Sequence, residues 1–251
     1  MKLGMIGAGN MASAIARGVG EPVLVADVDA PKADALAAAT GGQAFASNAE
    51  VAEQADVVLL CHKPYQLAEV AEQVAPHAKA VASILGGTPL AALELAYPDR
   101  PVYRFMPNIP AEVRQGIFLY APGAKADEGP EEDLIALLQR AGSVVQLPEH
   151  LIDAGMALMG CGPGLYALFV EAFLDAGVRH GLTPDTAAKL ATLTMGGSAA
   201  VIAENGYDPV ALRRRVSSPG GSTAVAVEAL EQGGLRAAVY DAVANVVALS
   251  K

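Results

Sequence analysis

Cysteine is scarce in this chain, basic charge is outnumbered, and no apolar run is long enough to cross a bilayer unbroken. Each shortage removes a class of function. Two cysteines, Cys61 and Cys161, cannot build a disulfide framework, and no cysteine–histidine cluster has metal-ligand spacing, so both read as buried thiols and no metal is expected. Lysine and arginine total 17 against 27 acidic residues, a net charge of −10, which leaves no basic stripe to neutralise phosphates. A nucleic-acid partner is therefore not expected. Every apolar stretch meets a charge or turn former before about 18–20 residues, so a membrane span is not expected either. The opening Lys2-Leu3-Gly4-Met5-Ile6-Gly7 lacks the basic region, long apolar core and cleavage site of a secretory signal, making the cytoplasm the expected compartment. Internal repeats and low-complexity linkers are missing too.

What the chain has is 251 residues, 53% of them hydrophobic, enough to pack one large domain or two ordinary ones. Residues 2–7, 22–27, 56–61, 80–85, 101–106, 116–122 and 143–147 read as strands, most of them apolar nearly throughout, as in a parallel sheet covered on both faces. Alanine-rich stretches at 10–19, 31–39, 65–75 and 131–141 read as helices between them. This alternation predicts a doubly wound α/β layer over residues 1–148. From 149 to 251 only helical periodicity is found. Leu165, Leu168, Phe169, Ala172, Phe173 and Ala176 share one helix face, and Tyr166, Val170 and Leu174 make its neighbour apolar, so that helix is expected to be buried all round. Tyr240, Val243 and Val247 repeat the stripe. So much apolar helical surface is buried either within the domain or against a second subunit, and an interlocked dimer is one solution.

Gly7-Ala8-Gly9-Asn10-Met11-Ala12 follows the first strand and opens a helix, the dinucleotide-binding arrangement with Ala as its third small residue. The first glycine permits the turn, the second lets backbone N–H groups approach a pyrophosphate, and the helix N-terminus adds partial positive charge. Asp27 ends the second strand 18 residues after Gly9, where a carboxylate accepts from the adenosine ribose hydroxyls and repels a 2′-phosphate. NADH is thus favoured over NADPH, Asp29 adding to the repulsion and Lys32 opposing it; a solvated loop aspartate is the other reading of Asp27. Later strand ends should face the same ligand: Cys61-His62-Lys63-Pro64 and Leu85-Gly86-Gly87. His62, with no partner identifiable from sequence, reads as a binding or packing residue rather than a base.

A second glycine-rich loop, Arg215-Val216-Ser217-Ser218-Pro219-Gly220-Gly221-Ser222-Thr223, joins two helical segments. Ser218 as N-cap and Pro219 as first helical residue account for part of it. They leave two successive glycines unexplained, each costing about 1 kcal/mol in a helix relative to Ala. Backbone N–H groups reaching a small carboxylate account for them, with the Ser222 and Thr223 hydroxyls bonding another polar atom of that ligand. Arg213 to Arg215 read as a solvated helix end.

Several separated stretches together resemble pyrroline-5-carboxylate reductases: the Gly7-to-Ala12 turn, Lys63-Pro64, Met106-Pro107-Asn108-Ile109-Pro110, Gly160-Cys161-Gly162-Pro163 and the Val216-to-Thr223 loop. The resemblance spans nearly the whole chain in order. It implies a Rossmann domain (1–148), then a helical substrate-binding and dimerisation domain (149–251), often in a ring of dimers, with the second loop holding substrate against the nicotinamide. It further implies that Thr223 contacts the substrate nitrogen, that Gly220, Gly221 and Ser222 hold its carboxylate, and that Asn48 lies near the adenosine end, with Gly86, Met106 and Asn108 joining the cofactor set. His62 stands where the family usually has a small apolar residue, Met159 and Cys161 where serine is common, and Asp27 is not the usual residue of an NADPH-preferring member. The implied reaction is hydride transfer from NAD(P)H to the ring C=N bond, giving proline. Two other readings use the same two-domain plan. An imine, ketone or 2-oxo-acid reductase would need a helical-domain lysine, and only Lys189 and Lys251 are there. A catalytically idle nucleotide sensor would have no use for an intact Pro-Gly-Gly-Ser-Thr loop.

Overall fold

The computed structural model describes residues 1–249, so Lys251 lies outside the described residues. By internal contacts the chain forms two compact units, Met1–Cys161 and Gly162–Leu249.

The first unit is an eight-stranded sheet: β1 (Leu3–Ile6), β2 (Val23–Ala26), β3 (Gln43–Ala44), β4 (Val57–Leu60), β5 (Val81–Ser83), β6 (Val102–Pro107), β7 (Gly116–Pro122) and β8 (Gly142–Gln146), in the order β3-β2-β1-β4-β5-β6-β7-β8. The first six run parallel, β7 is antiparallel to β6, and β8 is parallel to β7. Strand order reverses between β1 and β4, the place where this architecture opens a crevice at the carboxyl ends of the strands. The helices are α1 (Asn10–Val19), α2 (Ala30–Thr40), α3 (Asn48–Gln54), α4 (Leu67–Val74), α5 (Leu90–Ala96), α6 (Glu131–Leu138) and α7 (Ile152–Met159).

The unbroken apolar runs have a simple cause. Successive strand residues point to opposite faces, and both faces are covered. Val57 and Leu59 enter one core with Met5, Val25 and Phe105, whereas Val58 and Leu60 enter the other with Ile6, Val81 and Leu93. Full burial of each such side chain contributes about 1.5–3 kcal/mol. All seven expected strands are present. The sheet adds β3, two residues with no apolar run, and the helices add α3 and α5, each too short to show a period.

The expected domain boundary at 148/149 differs from the division into units at 161/162. Residues 149–161 pack on the sheet: Ile152, Ala157 and Met159 are buried, and a Cβ on Gly155 would lie 2.6 Å from Leu119 Cδ1. The second unit holds α8 (Gly162–Arg179), α9 (Pro184–Glu204), α10 (Pro209–Val216), α11 (Ser222–Gln232) and α12 (Leu235–Leu249). In these helices only Gly162 and Ala187 are buried. The expectation that the helix around Leu165–Ala176 is buried all round is not met in the single chain: Tyr166, Leu168 and Phe173 are 63%, 64% and 52% exposed. Among the described residues these helices leave apolar faces uncovered, and such faces mark association sites. The run Glu149–Arg179 is, by length and composition alone, the one helical stretch among the described residues apolar enough to cross a membrane. It is interrupted at Gly160-Cys161.

Candidate functional site

Gly7 leaves β1 with φ +107° and donates its N–H to the Ala26 carbonyl at 2.8 Å. A Cβ there would lie 2.9 Å from the Cys61 carbonyl group, so both the backbone angle and the approach of β1 to β4 require glycine. Gly9 differs. It is the extended N-cap of α1, has an ordinary φ of −71°, and a Cβ on it would meet nothing within 4 Å. The space above it is open. No side chain caps α1 and no acidic residue stands in its first turn, so the N–H groups at Asn10 and Met11 are available to an anion. Ala12, 1% exposed, gives the close helix–strand packing, while Met11 rests against the core.

Asp27 braces this turn. One carboxylate oxygen accepts from Ala8 N at 2.6 Å and the other from Asp29 N at 2.8 Å. The reading of a merely solvated loop aspartate is therefore set aside. Lys32 pairs with Asp29 at 2.8 Å, which raises the lysine pKa and spends the one nearby cation on the second carboxylate. Asn48 opens α3 and donates to Gln73 Oε1 at 2.9 Å; the helix is fixed by a capping box between Ser47 and Glu50.

Across the strand reversal, β4 delivers Cys61, His62, Lys63 and Pro64. Burial pushes the Cys61 thiol well above its ordinary pKa, which makes it an inert neutral group. His62 Nδ1 lies 2.9 Å from the Lys63 carbonyl oxygen, an acceptor only, so this nitrogen carries the proton. Nε2 is buried without a protein partner, and burial lowers the imidazole pKa. A neutral ring results. Beyond β5, Gly86 and Gly87 are exposed, and a Cβ on either would meet nothing within 4 Å. Met106, near the end of β6, is half-buried against the core.

Asn108 is held by the fold itself. It is 6% exposed, donates from Nδ2 to Met159 O at 2.9 Å and accepts at Oδ1 from Ile117 N at 2.8 Å. Its carboxamide joins β6, β7 and α7. Sequence reasoning also missed Arg104 and Glu149, an ion pair at 2.7 Å beside the Gly86 loop. A lone arginine inside the apolar run Val102–Pro107 was the available signal.

In the second unit the expected helix start at Ser218-Pro219 is shifted. Gly221 N donates to Ser218 O at 3.0 Å, closing a turn with Pro219 second and Gly220, φ +71°, third. Pro then Gly is the composition of a type II turn, and it holds the chain off the helix for three residues. Gly221 becomes the N-cap of α11, without a side-chain cap or an acidic first turn. Ser222 and Thr223 are its first two residues, so their N–H groups and hydroxyls crowd one uncapped helix end.

Residues 149–251 match the pyrroline-5-carboxylate reductase dimerisation family, and residues 2–87 match a family described as NADP oxidoreductase, coenzyme F420-dependent. The chain is 35% identical to the pyrroline-5-carboxylate reductase of Synechocystis over 97% of its length and 94% of the relative's. It is 36% identical to that of Pseudomonas aeruginosa, over 96% and 92%. Among solved structures, the Coxiella burnetii pyrroline-5-carboxylate reductase superposes with a TM-score of 0.90 at 30% identity, covering 99% of this chain and 97% of that one. The Plasmodium falciparum enzyme, solved with NADP bound, gives 0.88 at 28% identity, over 100% and 97%. With an open glycine cradle at the strand reversal, an uncapped Ser-Thr helix end and relatives matched over nearly their whole length, the chain belongs to the pyrroline-5-carboxylate reductase family.

Proposed function

We propose that this protein reduces 1-pyrroline-5-carboxylate to L-proline with NAD(P)H, the closing step of proline synthesis. The observation that carries the reading is that one chain, aligned nearly end to end with reductases of this name, has an open cradle at Gly9 and Gly86 in its first unit and the uncapped Ser218-to-Thr223 turn in its second.

NAD(P)H supplies the hydride when bound. The residues expected to hold it are Gly7, Ala8, Gly9, Asn10 and Met11 at the pyrophosphate, Asp27 and Asn48 at the adenosine half, and His62, Lys63, Pro64, Gly86 and Met106 across the strand reversal. We favour NADH: a carboxylate at Asp27, just past the end of the second strand, would repel a 2′-phosphate, and Lys32 is already paired with Asp29. The uncapped amides at Gly220, Ser222 and Thr223 anchor the substrate carboxylate, Gly221 shaping the turn with its own N–H and Ser218 accepting that bond. The Thr223 hydroxyl bonds the ring nitrogen. A protonated cyclic imine is already electrophilic, so the protein need only position it and exclude water. The imine carbon gains the hydride, its C=N π pair collapses onto nitrogen, and proline leaves. No side-chain acid is required.

The matched dimerisation family accounts for the uncovered apolar faces of α8, α9 and α12, and the assembly is a homo-oligomer built on them. We extend this to a dimer, or a ring of dimers, acting in the cytoplasm without a membrane or nucleic-acid partner. The test is turnover by purified protein: loss of nicotinamide absorbance on addition of 1-pyrroline-5-carboxylate, with NADH and NADPH in parallel. Nucleotide binding without turnover would reject the reading in favour of an idle sensor.

A further inference from the structure

Glu149 Oε1 is shared by two donors from distant parts of the sheet unit. Leu90 N, the first helical amide of α5, donates to it at 2.6 Å, and Arg104 Nη1 at 2.7 Å. The Arg104 side chain is 7% exposed and that of Glu149 34%. Arg104 is the register partner of Ser83, whose hydroxyl accepts from Leu85 N at 3.2 Å. The segment from Ile84 to Pro89, which carries Gly86 and Gly87, is therefore fastened at both ends. Ser83 holds where it leaves β5, and Glu149 holds where it enters α5. Between them the segment bends once, Thr88 N donating to Leu85 O at 3.3 Å around Gly87 at φ +70°.

An ion pair buried at its arginine end is an inefficient way to gain stability, since well-packed apolar side chains of equal volume do as well or better. What the pair provides is direction: Arg104 Nη1 and the Leu90 amide converge on one carboxylate oxygen, which fixes where α5 begins to within a hydrogen-bond length. The loop so fixed stands at the carboxyl end of β5, on the opposite side of the strand reversal from Asp27. The adenosine half of a dinucleotide lies on the Asp27 side, so the nicotinamide half lies on this one.

We propose that Glu149, clamped by Arg104, is a positioning residue that sets the Gly86-Gly87 loop for the nicotinamide half of the cofactor. The proposal rests on the reading of these strand ends as the NAD(P)H site. Glu149→Gln keeps an acceptor for both N–H groups; Glu149→Ala removes it. The test measures dissociation constants of NADH and of ADP, which lacks the nicotinamide half, for full-length wild type and both variants. Glu149→Ala is expected to weaken NADH about tenfold, the scale of one lost hydrogen bond to a charged group, and to leave ADP within about twofold. Glu149→Gln should restore NADH to within about threefold of wild type, since both hydrogen bonds can re-form. A general loss of stability would move both ligands together, so equal weakening of NADH and ADP, or unchanged NADH, overturns the proposal. If Glu149→Ala does not fold, Arg104→Met, which removes the donor at similar length, must show the same split, and its absence there is equally fatal. Wild type that binds neither nucleotide defeats the NAD(P)H reading itself, a result distinct from the others.

Discussion

Replacing Asp27 by Asn should shift cofactor choice toward NADPH. The side chain keeps its size and one oxygen to accept from Ala8 N, now at 2.6 Å, while the charge is removed. The local balance sets the magnitude. Asp29 is neutralised by Lys32 at 2.8 Å, so Asp27 is the uncompensated carboxylate of the group. A unit charge about 5 Å from a phosphate charge, at an effective dielectric constant of about 20, interacts by about 3 kcal/mol. Partial exposure and physiological salt reduce this to roughly 1–2 kcal/mol. At 1.4 kcal/mol per factor of ten, the ratio of NADPH to NADH efficiency should rise about 5- to 30-fold. The assay is kcat/KM for both cofactors at fixed, saturating 1-pyrroline-5-carboxylate and one ionic strength. A ratio that stays within twofold of wild type, or a wild type that already prefers NADPH, would refute the electrostatic reasoning.

Thr223→Ala should lower kcat/KM for 1-pyrroline-5-carboxylate by roughly 1–3 kcal/mol, the scale of a lost hydrogen bond to a charged partner, in steady-state assays; unchanged kinetics would remove Thr223 from the mechanism. Gly9→Ala and Gly7→Ala should separate binding from folding. The first adds a methyl to open space, so its melting temperature should hold while NAD(P)H titration shows lost affinity; the second meets the Cys61 carbonyl at 2.9 Å with φ +107° and should cost about 1–3 kcal/mol in denaturant unfolding. Phe173→Asp with Leu168→Asp places charges on the exposed face of α8, and sedimentation should report monomer, since each apolar side chain buried there contributes about 1.5–3 kcal/mol. A stable oligomer in that variant would move the interface elsewhere.

Much of the fold can be read directly from residue order, for identifiable reasons. β1, β2 and β4 announce themselves because strands buried on both faces are apolar at every position. β3 does not, because Gln43–Ala44 is a two-residue edge with one exposed side chain. α3 is too short for periodicity, yet its capping box, Ser47 with Glu50, stands in the sequence as a start signal. The Gly7 turn is legible because backbone geometry restricts it to glycine. The Ser218 loop is legible as unusual but not in shape, since Ser-Pro can open a helix as readily as a turn, and only the Gly220 φ of +71° decides. Two features depend on distance across the fold and are invisible locally. Asn108 carries a motif-like neighbourhood but spends its side chain on Met159 and Ile117. Glu149 lies 45 residues from Arg104 and meets it only because β6 carries that arginine back toward the end of the sheet unit.

The most direct test of the central claim follows the hydride itself. Purified protein is given 1-pyrroline-5-carboxylate and NADH or NADPH deuterated at the transferring C4 position, and the product is analysed by mass and NMR spectrometry. The account predicts proline bearing one deuterium at C5, the former imine carbon. Unlabelled proline, or cofactor oxidation without any proline, would contradict it.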